Sequence, residues 1–429
     1  MTTTQSELSR PSSTSDSFGR YYTEDWISQT LVDAMTVRRP KLLVELGTGE
    51  GSLAAVAAKK WQVPKIVTVD LDQKICSRAD KLGTNRSAHL HHTHDALDAR
   101  LAEKIGVGLE SVDVAVCNPP YVRPRWRASF GQILEGAGLS GSLKSVKDAG
   151  ADLLFIAQNL RLLKRGGKLG LILPDGLVTG EKFQGVRKTL LGAHRIEQVL
   201  QLPRKVFAKT EAQTYLVILA KHAGQTELVH LREMQADGQL SESIYVDAEL
   251  ARHRLDFRFH QYATTKQVDA PRERTKSLQI LAVTESLRRG GVASNQVREQ
   301  SWPIFHLGDF PPLDNCQNFT VPRTLRVNVN ILPSLPQTTC VAGPGDILVA
   351  RIGRNLQNKI CMVNRGHCIL SDCVFRLRVS PEFRSAVFAS LTSSDGRNRL
   401  QASSHGVGAA YVSSSDLLSL RFDSNLEGE

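Results

Sequence analysis

The chain has 429 residues, of which 41% are hydrophobic, and a formal net charge of +11 at pH 7. This length exceeds what one typical hydrophobic core supports, so we expect two domains. The basic balance favours a polyanionic partner such as nucleic acid. The seven cysteines include no Cys-x-x-Cys pair. We therefore predict reduced, buried thiols in a cytoplasmic protein and no bound metal.

The first 17 residues are polar and rich in serine and threonine. They lack the apolar stretch of a signal peptide, so we predict a disordered tail over residues 1–17. Nowhere does the sequence approach the run of about 20 apolar residues that crosses a bilayer, and we expect no membrane partner.

Residues 18–222 alternate short apolar runs with helical stretches. Strands are predicted at 41–46, 65–70, 112–117, 168–173 and 214–219, and helices at 52–61, 151–164 and 183–191. This alternation is typical of a mostly parallel sheet with helices on both faces, so the predicted fold class is α/β and Rossmann-like.

The alternation fades after residue 222. Residues 223–302 are polar and charged, and we predict a linker and helical bridge there. From residue 303 the sequence has short β-like runs separated by proline, glycine and asparagine, at 346–350, 359–363 and 374–379. We therefore predict a smaller, β-rich α+β domain over residues 303–429.

A glycine-rich turn, Glu45-Leu-Gly-Thr-Gly-Glu-Gly51, follows the first predicted strand. Gly47 and Gly49 let the backbone pass close to a ligand. Asp70 ends the second strand, where a carboxylate can accept hydrogen bonds from both hydroxyls of a ribose. The pattern suits any nucleoside cofactor, so by itself it does not distinguish NAD or FAD from S-adenosylmethionine.

The motif Asn118-Pro119-Pro120-Tyr121 directly follows the predicted strand 112–117. The two prolines predict a stiff, extended turn at the carboxyl end of that strand, where ligands bind in this architecture. The Asn118 side-chain oxygen and the Pro119 carbonyl can each accept one N–H of an amino group, and Tyr121 can stack on the attached ring. Because positioning supplies most of the rate gain in a direct displacement, the motif predicts methyl transfer to an exocyclic amine.

With these motifs in this order, residues 18–222 resemble the amino-methyltransferases of the γ arrangement. That family includes type I modification subunits and single-chain restriction-associated adenine methyltransferases. The resemblance implies a class I methyltransferase fold, S-adenosyl-L-methionine as the cofactor and N6 of adenine as the target. The cofactor-binding residues that it implies are Tyr22, Thr23, Glu45, Gly47, Gly49, Asp70, Asp95 and Asn118. The family usually has proline after the threonine of its first segment, whereas this chain has Glu24.

Individual roles follow from the same resemblance. Thr23 would contact the methionine carboxylate, Asp70 the ribose and Asp95 the adenine amino group, although Asp95 also fits a solvated loop acid. Phe207 would stack on the extruded base opposite Tyr121, with core packing as the alternative. A base within a duplex must leave the stack to reach such a pocket.

The C-terminal third resembles the target-recognition domains of type I specificity subunits. The resemblance rests on the segments 343–353 and 406–421 and implies duplex DNA as a partner. Family examples commonly hold two such domains, whereas this chain has room for one. We therefore predict a short or asymmetric site, or a partner that is a restriction or specificity subunit or a second copy of the chain. The candidate DNA-binding residues, each with solvated surface charge as the alternative, are Arg123, Arg125, Arg351, Arg354 and Lys359.

We therefore predict a site-specific DNA adenine-N6 methyltransferase of a restriction-modification or phage-defence system, in the cytosol of a bacterium or archaeon. Two other functions fit the motifs. Enzymes with Asn-Pro-Pro-Tyr also methylate RNA adenine or protein glutamine, and an idle DNA-binding subunit of a restriction complex would share the domain order.

Overall fold

The computed structural model describes residues 23–73, 88–204, 206–207, 213–261, 277–300, 302–328, 339–406 and 410–423. The chain divides into two units. The first comprises the described residues of Met1–Lys209, Thr214–Gln239 and Tyr245–Leu255. The second comprises those of Thr210–Gln213, Leu240–Ile244 and Asp256–Glu429.

Within the described residues, nine strands form the sheet of the first unit. They are β1 (Leu42–Leu46), β2 (Lys65–Asp70), β3 (Ala88–Thr93), β4 (Val112–Cys117), β5 (Leu163–Pro174), β6 (Arg195–Gln201), β7 (Thr214–Ala220), β8 (Leu228–Glu233) and β9 (Ile244–Asp247). Their order is β3-β2-β1-β4-β5-β7-β6-β8-β9. The pairs from β3 to β5 are parallel, and β7 runs antiparallel to β5 and β6. The predicted α/β, Rossmann-like fold is confirmed.

The helices of this unit cover the sheet. They are α1 (Asp25–Ala34), α2 (Ser52–Trp61), α3 (Leu101–Lys104), α4 (Ala128–Gly136), α5 (Ala151–Leu162), α6 (Asp175–Thr179), α7 (Gln184–Ala193) and α8 (Ala248–Ala251). Ile27 and Leu31 of α1 pack with Leu53 of α2 and Val116 of β4 in one hydrophobic cluster. Because apolar side chains cover both faces of the central strands, those strands are buried on both sides.

The strand order reverses beside β1. Strand β1 pairs with β2 on one side and with β4 on the other. Ligands of open α/β sheets bind at the carboxyl ends of the strands that flank such a reversal. The glycine-rich turn after β1 and the Asn-Pro-Pro-Tyr turn after β4 therefore lie next to each other.

Over residues 223–302 the structure differs from the predicted linker and helical bridge. Strand β8 pairs parallel with β6, and β8 is followed by β9 at the sheet edge. Val229 and Leu231 of β8 point into the core, while their neighbours are more exposed. This alternation spans only a few residues of a polar segment, so the sequence signal is weak. The first unit consequently extends beyond residue 222.

The second unit is smaller and β-rich, with helices, as predicted. Its strands are β10 (Ser277–Gln279), β11 (Thr284–Arg289), β12 (Ile304–Phe305), β13 (Phe319–Thr320), β14 (Val341–Ala342), β15 (Ile347–Ala350), β16 (Ile352–Gly353), β17 (Ile360–Arg365), β18 (Cys368–Leu370), β19 (Val374–Val379), β20 (Ala410–Tyr411) and β21 (Arg421–Asp423). Its helices are α9 (Ile280–Val283), α10 (Arg384–Thr392), α11 (Ser394–Ala402) and α12 (Ser414–Ser419).

The largest sheet of the second unit has the order β11-β19-β15-β17-β13. Strands β15 and β19 lie inside it, and their apolar side chains form the centre of the core. Five of the predicted buried thiols lie in this unit, at Cys316, Cys340, Cys361, Cys368 and Cys373, and Cys117 is buried in the first unit. In the described ranges of both units, no helix combines the length and apolar character needed to cross a membrane.

Candidate functional site

A cavity of about 440 Å³ opens at the carboxyl ends of β1 and β4. The sequence-predicted residues that line it are Thr23, Glu45, Gly47, Gly49, Asp70, Asp95, Asn118, Pro120 and Arg123. Its volume lies within the range of small-molecule sites, about 300–1,000 Å³. The fold thus gathers into one cavity most of the residues that the sequence analysis had assigned separately.

The glycine-rich turn is fixed to the end of β2. The amides of Gly47 and Thr48 both donate to the carbonyl of Val69, at 2.8 and 3.1 Å. Gly47 has a φ of 71°, and a Cβ at this position would lie 3.0 Å from Cε1 of Phe155. Both the backbone conformation and the contact therefore require glycine.

Phe155 lines the cavity from α5 and is not among the site residues predicted from the sequence. In the sequence it is one of several apolar residues on an amphipathic helix. Nothing in that pattern separates a side chain that faces a cavity from one that faces the core. Its position next to Gly47 is decided by how α5 packs on the sheet.

Glu45 lies at the base of the cavity and is 2% exposed. Its Oε2 accepts hydrogen bonds from Thr48 Oγ1 at 2.8 Å and from the Ala54 amide at 3.0 Å. Burial raises the pKa of the Glu45 carboxyl from 4.5 to about 8; the two hydrogen bonds oppose this rise and the nearby charge of Asp70 adds to it. The carboxyl is therefore held protonated near neutral pH unless a positive charge enters the cavity.

We expect this buried carboxyl to make stability depend on pH. Between pH 4.5 and about 8 the folded protein keeps a proton that the unfolded chain has released, so the free energy of unfolding falls as the pH rises through this window. One pKa unit corresponds to about 1.4 kcal/mol, so the whole effect between pH 4.5 and about 8 is on the order of 5 kcal/mol. Urea unfolding at about pH 5 and about pH 8 measures it.

Glu45→Gln is the matched control for this measurement. Glutamine keeps an oxygen for Thr48 and Ala54 but does not titrate. The loss of stability at high pH should therefore be smaller in the variant than in the wild-type protein. Parallel pH profiles for the two proteins would contradict the prediction.

Two further carboxylates stand at the cavity. The Asp70 Oδ2 accepts the Gly49 amide at 2.9 Å, and its Oδ1 accepts the Asp72 amide at 3.0 Å. The Asp95 Oδ1 accepts the Leu97 amide at 2.9 Å. Its Oδ2 lies 2.8 Å from Arg127 Nη2, so Asp95 is ion-paired with the basic segment that follows the Asn-Pro-Pro-Tyr turn.

Asn118 is held at both ends of its amide. Its Nδ2 donates to Thr23 Oγ1 at 3.0 Å, and its Oδ1 accepts the Tyr121 hydroxyl at 3.0 Å. The same hydroxyl also lies 3.3 Å from the carbonyl oxygen of Ile172. Because Thr23 binds the N–H side of the amide, the oxygen side is turned away from Thr23. An incoming amino group would compete with the Tyr121 hydroxyl for this oxygen.

Some predicted site residues lie elsewhere. Phe207 is 2% exposed and belongs to the hydrophobic cluster formed with α1, α2 and β4. That position corresponds to core packing, which was the alternative role for Phe207 in the sequence. Phe207 is not among the described residues that line the cavity. Pro119 is buried in the turn between Asn118 and Pro120. Tyr22 lies outside the described residues.

The predicted DNA-binding residues have different surroundings. Arg123 is ion-paired with Asp148 at 3.0 Å. Arg125 and Arg354 are exposed. In contrast, Arg351 Nε donates to the Asp372 carbonyl at 2.8 Å, and Lys359 Nζ donates to the Leu307 carbonyl at 2.7 Å. The last two side chains thus brace backbone segments of the second unit.

Comparisons with known proteins identify the family of this chain. The model of the N-6 DNA methylase family matches residues 9–270. A Methanocaldococcus jannaschii protein that is named as a type II restriction enzyme and methyltransferase is 27% identical over 124 residues, which are 28% of this chain and 9% of that protein. The structure of the type IIG restriction endonuclease BpuSI is 12% identical and covers 95% of this chain and 59% of its own, with a TM-score of 0.50.

The methyltransferase subunit of a type I restriction-modification system from Streptococcus thermophilus is 19% identical. The match covers 60% of this chain and 55% of that subunit, with a TM-score of 0.42. The chain therefore spans less than two thirds of the length of each of these three proteins. At such identities the likeness to the solved structures concerns the fold.

Proposed function

We propose that this chain, which belongs to the N-6 DNA methylase family, transfers a methyl group from S-adenosyl-L-methionine to N6 of adenine in duplex DNA. We further propose that it serves in a restriction-modification system, which the similarity to the Methanocaldococcus jannaschii protein named as a restriction enzyme and methyltransferase supports. The proposal includes the cofactor, the target atom, base flipping and the roles of individual residues.

The observation that carries the proposal is the orientation of Asn118 beside the cavity. Its amide is fixed by Thr23 on the nitrogen side, and its oxygen stands in the turn after β4. Together with the Pro119 carbonyl, this oxygen can accept both N–H groups of an adenine amine. The amine is then held with its lone pair directed at the methyl donor, and this positioning supplies most of the acceleration. Tyr121 contributes a ring on which the base can stack.

The cavity residues fit S-adenosylmethionine. The Asp70 carboxylate accepts the backbone amides of Gly49 and Asp72 and lines the cavity, where it would accept the ribose hydroxyls. Glu45 offers a buried carboxyl whose ionised form is favoured by a cationic ligand. When bound, the cofactor supplies the electrophilic methyl group. Thr23, the turn around Gly47 and Gly49, and Asp95 would hold its remaining parts.

The target base must reach this cavity from outside. In duplex DNA the exocyclic amine of adenine lies inside the stack, so the nucleotide has to be extruded. We assign the DNA contacts to the basic segment after Tyr121, which includes Arg123 and Arg125, and to the second unit. Phe207 remains a candidate for stacking on the extruded base, although its buried position also fits a purely structural role.

Sequencing of DNA from a methylation-free host that expresses the chain tests the proposal. We expect N6-methyladenine at one short sequence motif, absent from cells that carry Asn118→Ala. Purified protein with labelled cofactor should then label duplex DNA that contains the motif. Label in RNA or in protein alone would overturn the proposal and favour the other substrates of Asn-Pro-Pro-Tyr enzymes. Cofactor binding without turnover on any DNA would indicate an idle subunit or the need for a partner subunit.

A further inference from the structure

Three arginines of the second unit lie close together and form what we call the arginine cluster: Arg323, Arg326 and Arg365. Arg323 begins the short 3-10 helix Arg323–Leu325, Arg326 follows that helix, and Arg365 ends β17. All three are exposed. They are separated in the sequence and belong to no recognised motif, so they were not predicted as DNA-binding residues from the sequence.

The backbone brings the arginine cluster together. Thr320 of β13 lies opposite Arg365 in the parallel pairing of β13 with β17. The Val321 amide donates to the Arg365 carbonyl at 2.8 Å, and Arg326 Nε donates to the Val321 carbonyl at 3.1 Å. The Arg326 amide in turn donates to the Arg323 carbonyl at 3.3 Å. The three charges are thus attached to one stretch of hydrogen-bonded backbone.

The arginine cluster lacks the counter-charge that three other arginines of the second unit have. Arg289, Arg378 and Arg399 are ion-paired with aspartates. Among the described residues, no carboxylate lies within ion-pair distance of the arginine cluster. Uncompensated positive charge on exposed side chains attracts a polyanion.

We propose that the arginine cluster binds phosphates of the duplex DNA backbone, an inference that rests on the proposed function. Guanidinium groups match the geometry of phosphate oxygens and bind them in a bidentate manner. Contacts of this kind position a protein on DNA without reading its sequence. The arginine cluster would therefore supply part of the sequence-independent affinity. Arg351 and Lys359, whose side chains are less exposed than those of the arginine cluster, would contribute less.

The salt dependence of DNA binding tests this inference. The full-length protein is titrated into a fluorescent duplex of arbitrary sequence and, separately, a duplex with the methylated motif, at several salt concentrations. Each phosphate contact contributes about 0.9 to the slope of log affinity against log salt. The triple variant Arg323→Gln, Arg326→Gln, Arg365→Gln should have a slope shallower by about 2 to 3, with affinity reduced about tenfold or more on both duplexes.

Two control variants separate local contact from net charge and from misfolding. The first control is the triple variant Arg38→Gln, Arg39→Gln, Arg195→Gln, which removes the same charge. Its three exposed positions lie near the amino ends of β1 and β6, at the end of the sheet opposite the cavity. This control should keep the wild-type slope. Replacing the arginine cluster with three lysines keeps its charge and should largely preserve the slope. Thermal unfolding establishes that each variant folds.

The outcomes are distinct. A shallower slope for the glutamine variant alone supports the inference. If the wild-type chain binds and methylates DNA but the glutamine variant has the wild-type slope, the inference is overturned and the proposed function stands. If the glutamine variant loses binding to single-stranded RNA while its duplex binding is unchanged, the inference is also overturned. If the wild-type chain neither binds nor methylates duplex DNA, both the inference and the proposed function are overturned.

Discussion

Replacing Asn118 with alanine is expected to lower the rate of methyl transfer by about a hundredfold or more while leaving cofactor affinity within a few-fold of the wild-type value. Removal of one preorganised hydrogen-bonding group from an active site costs about 10²–10³ in rate. Asn118 Oδ1 is the proposed acceptor for the amine, so its loss affects the reacting nitrogen and not the cofactor cavity as a whole. Single-turnover transfer with labelled cofactor measures the rate, and calorimetry measures cofactor affinity.

The hydrogen bonds of Asn118 provide a graded control. Asn118→Asp keeps an oxygen for the amine but loses the N–H that Thr23 accepts at 3.0 Å. We expect its rate to lie between those of the alanine variant and the wild-type protein, because the acceptor survives with poorer orientation. The alanine variant should also unfold at nearly the wild-type temperature. Wild-type turnover by Asn118→Ala would show that the Asn-Pro-Pro-Tyr turn does not perform the chemistry.

Replacing Arg187 with leucine is expected to destabilise the first unit by about 3–5 kcal/mol. Arg187 is on α7 and is 0% exposed. Its Nη1 donates to the carbonyls of Leu177 and Gly180, both at 2.9 Å. Its Nε donates to the Arg252 carbonyl at 2.9 Å, and its Nη2 donates to the His253 carbonyl.

The large effect follows from what the substitution leaves behind. Each buried carbonyl that loses its donor costs about 1–3 kcal/mol, and leucine supplies no donor. The guanidinium joins α6 and the turn at Gly180 to a chain segment more than sixty residues later, so that segment should open more often when Arg187 is lost.

Urea unfolding and amide hydrogen exchange measure the two consequences. Lys188→Leu is the matched control, because Lys188 is the next residue on α7 and its side chain is exposed. It should change the free energy of unfolding by less than about 0.5 kcal/mol. Exchange at the Leu255 amide, which donates to the Val178 carbonyl at 3.0 Å, should accelerate only in the Arg187 variant. Equal losses of stability in the two variants would contradict the structural role assigned to Arg187.

The correspondence between sequence and structure is best for the buried strands. The strands at 65–70 and 112–117 have the predicted bounds, because a short apolar run between turn residues has few other ways to bury its side chains. The prediction fails to include β8 and β9 in the first sheet. Both strands are short and have few buried apolar residues, so their period-2 pattern is faint.

The individual site residues also differ in whether their roles can be predicted from the local sequence. Glycine at 47 and the Asn-Pro-Pro-Tyr turn are visible in the sequence because they impose local backbone geometry. Phe155, Arg187 and the arginine cluster are not visible, because their roles depend on partners that are distant in the chain. The same holds for Arg351 and Lys359, whose charge indicated DNA but whose side chains donate to carbonyls of the second unit.

The sequence by itself determined the α/β class of the first unit, the β-rich character of the second and the family resemblance, since these depend on periodicity and on motifs within short segments. Only the tertiary structure decided that most of the residues assigned to the cofactor line one cavity together with Asn118 and Pro120 of the catalytic turn. It alone also revealed the raised pKa of Glu45, the orientation of Asn118 by Thr23 and the buried setting of Phe207. The physical reason is that burial, charge pairing and hydrogen-bond partners depend on which chain segments contact each other. The local sequence pattern does not determine those contacts.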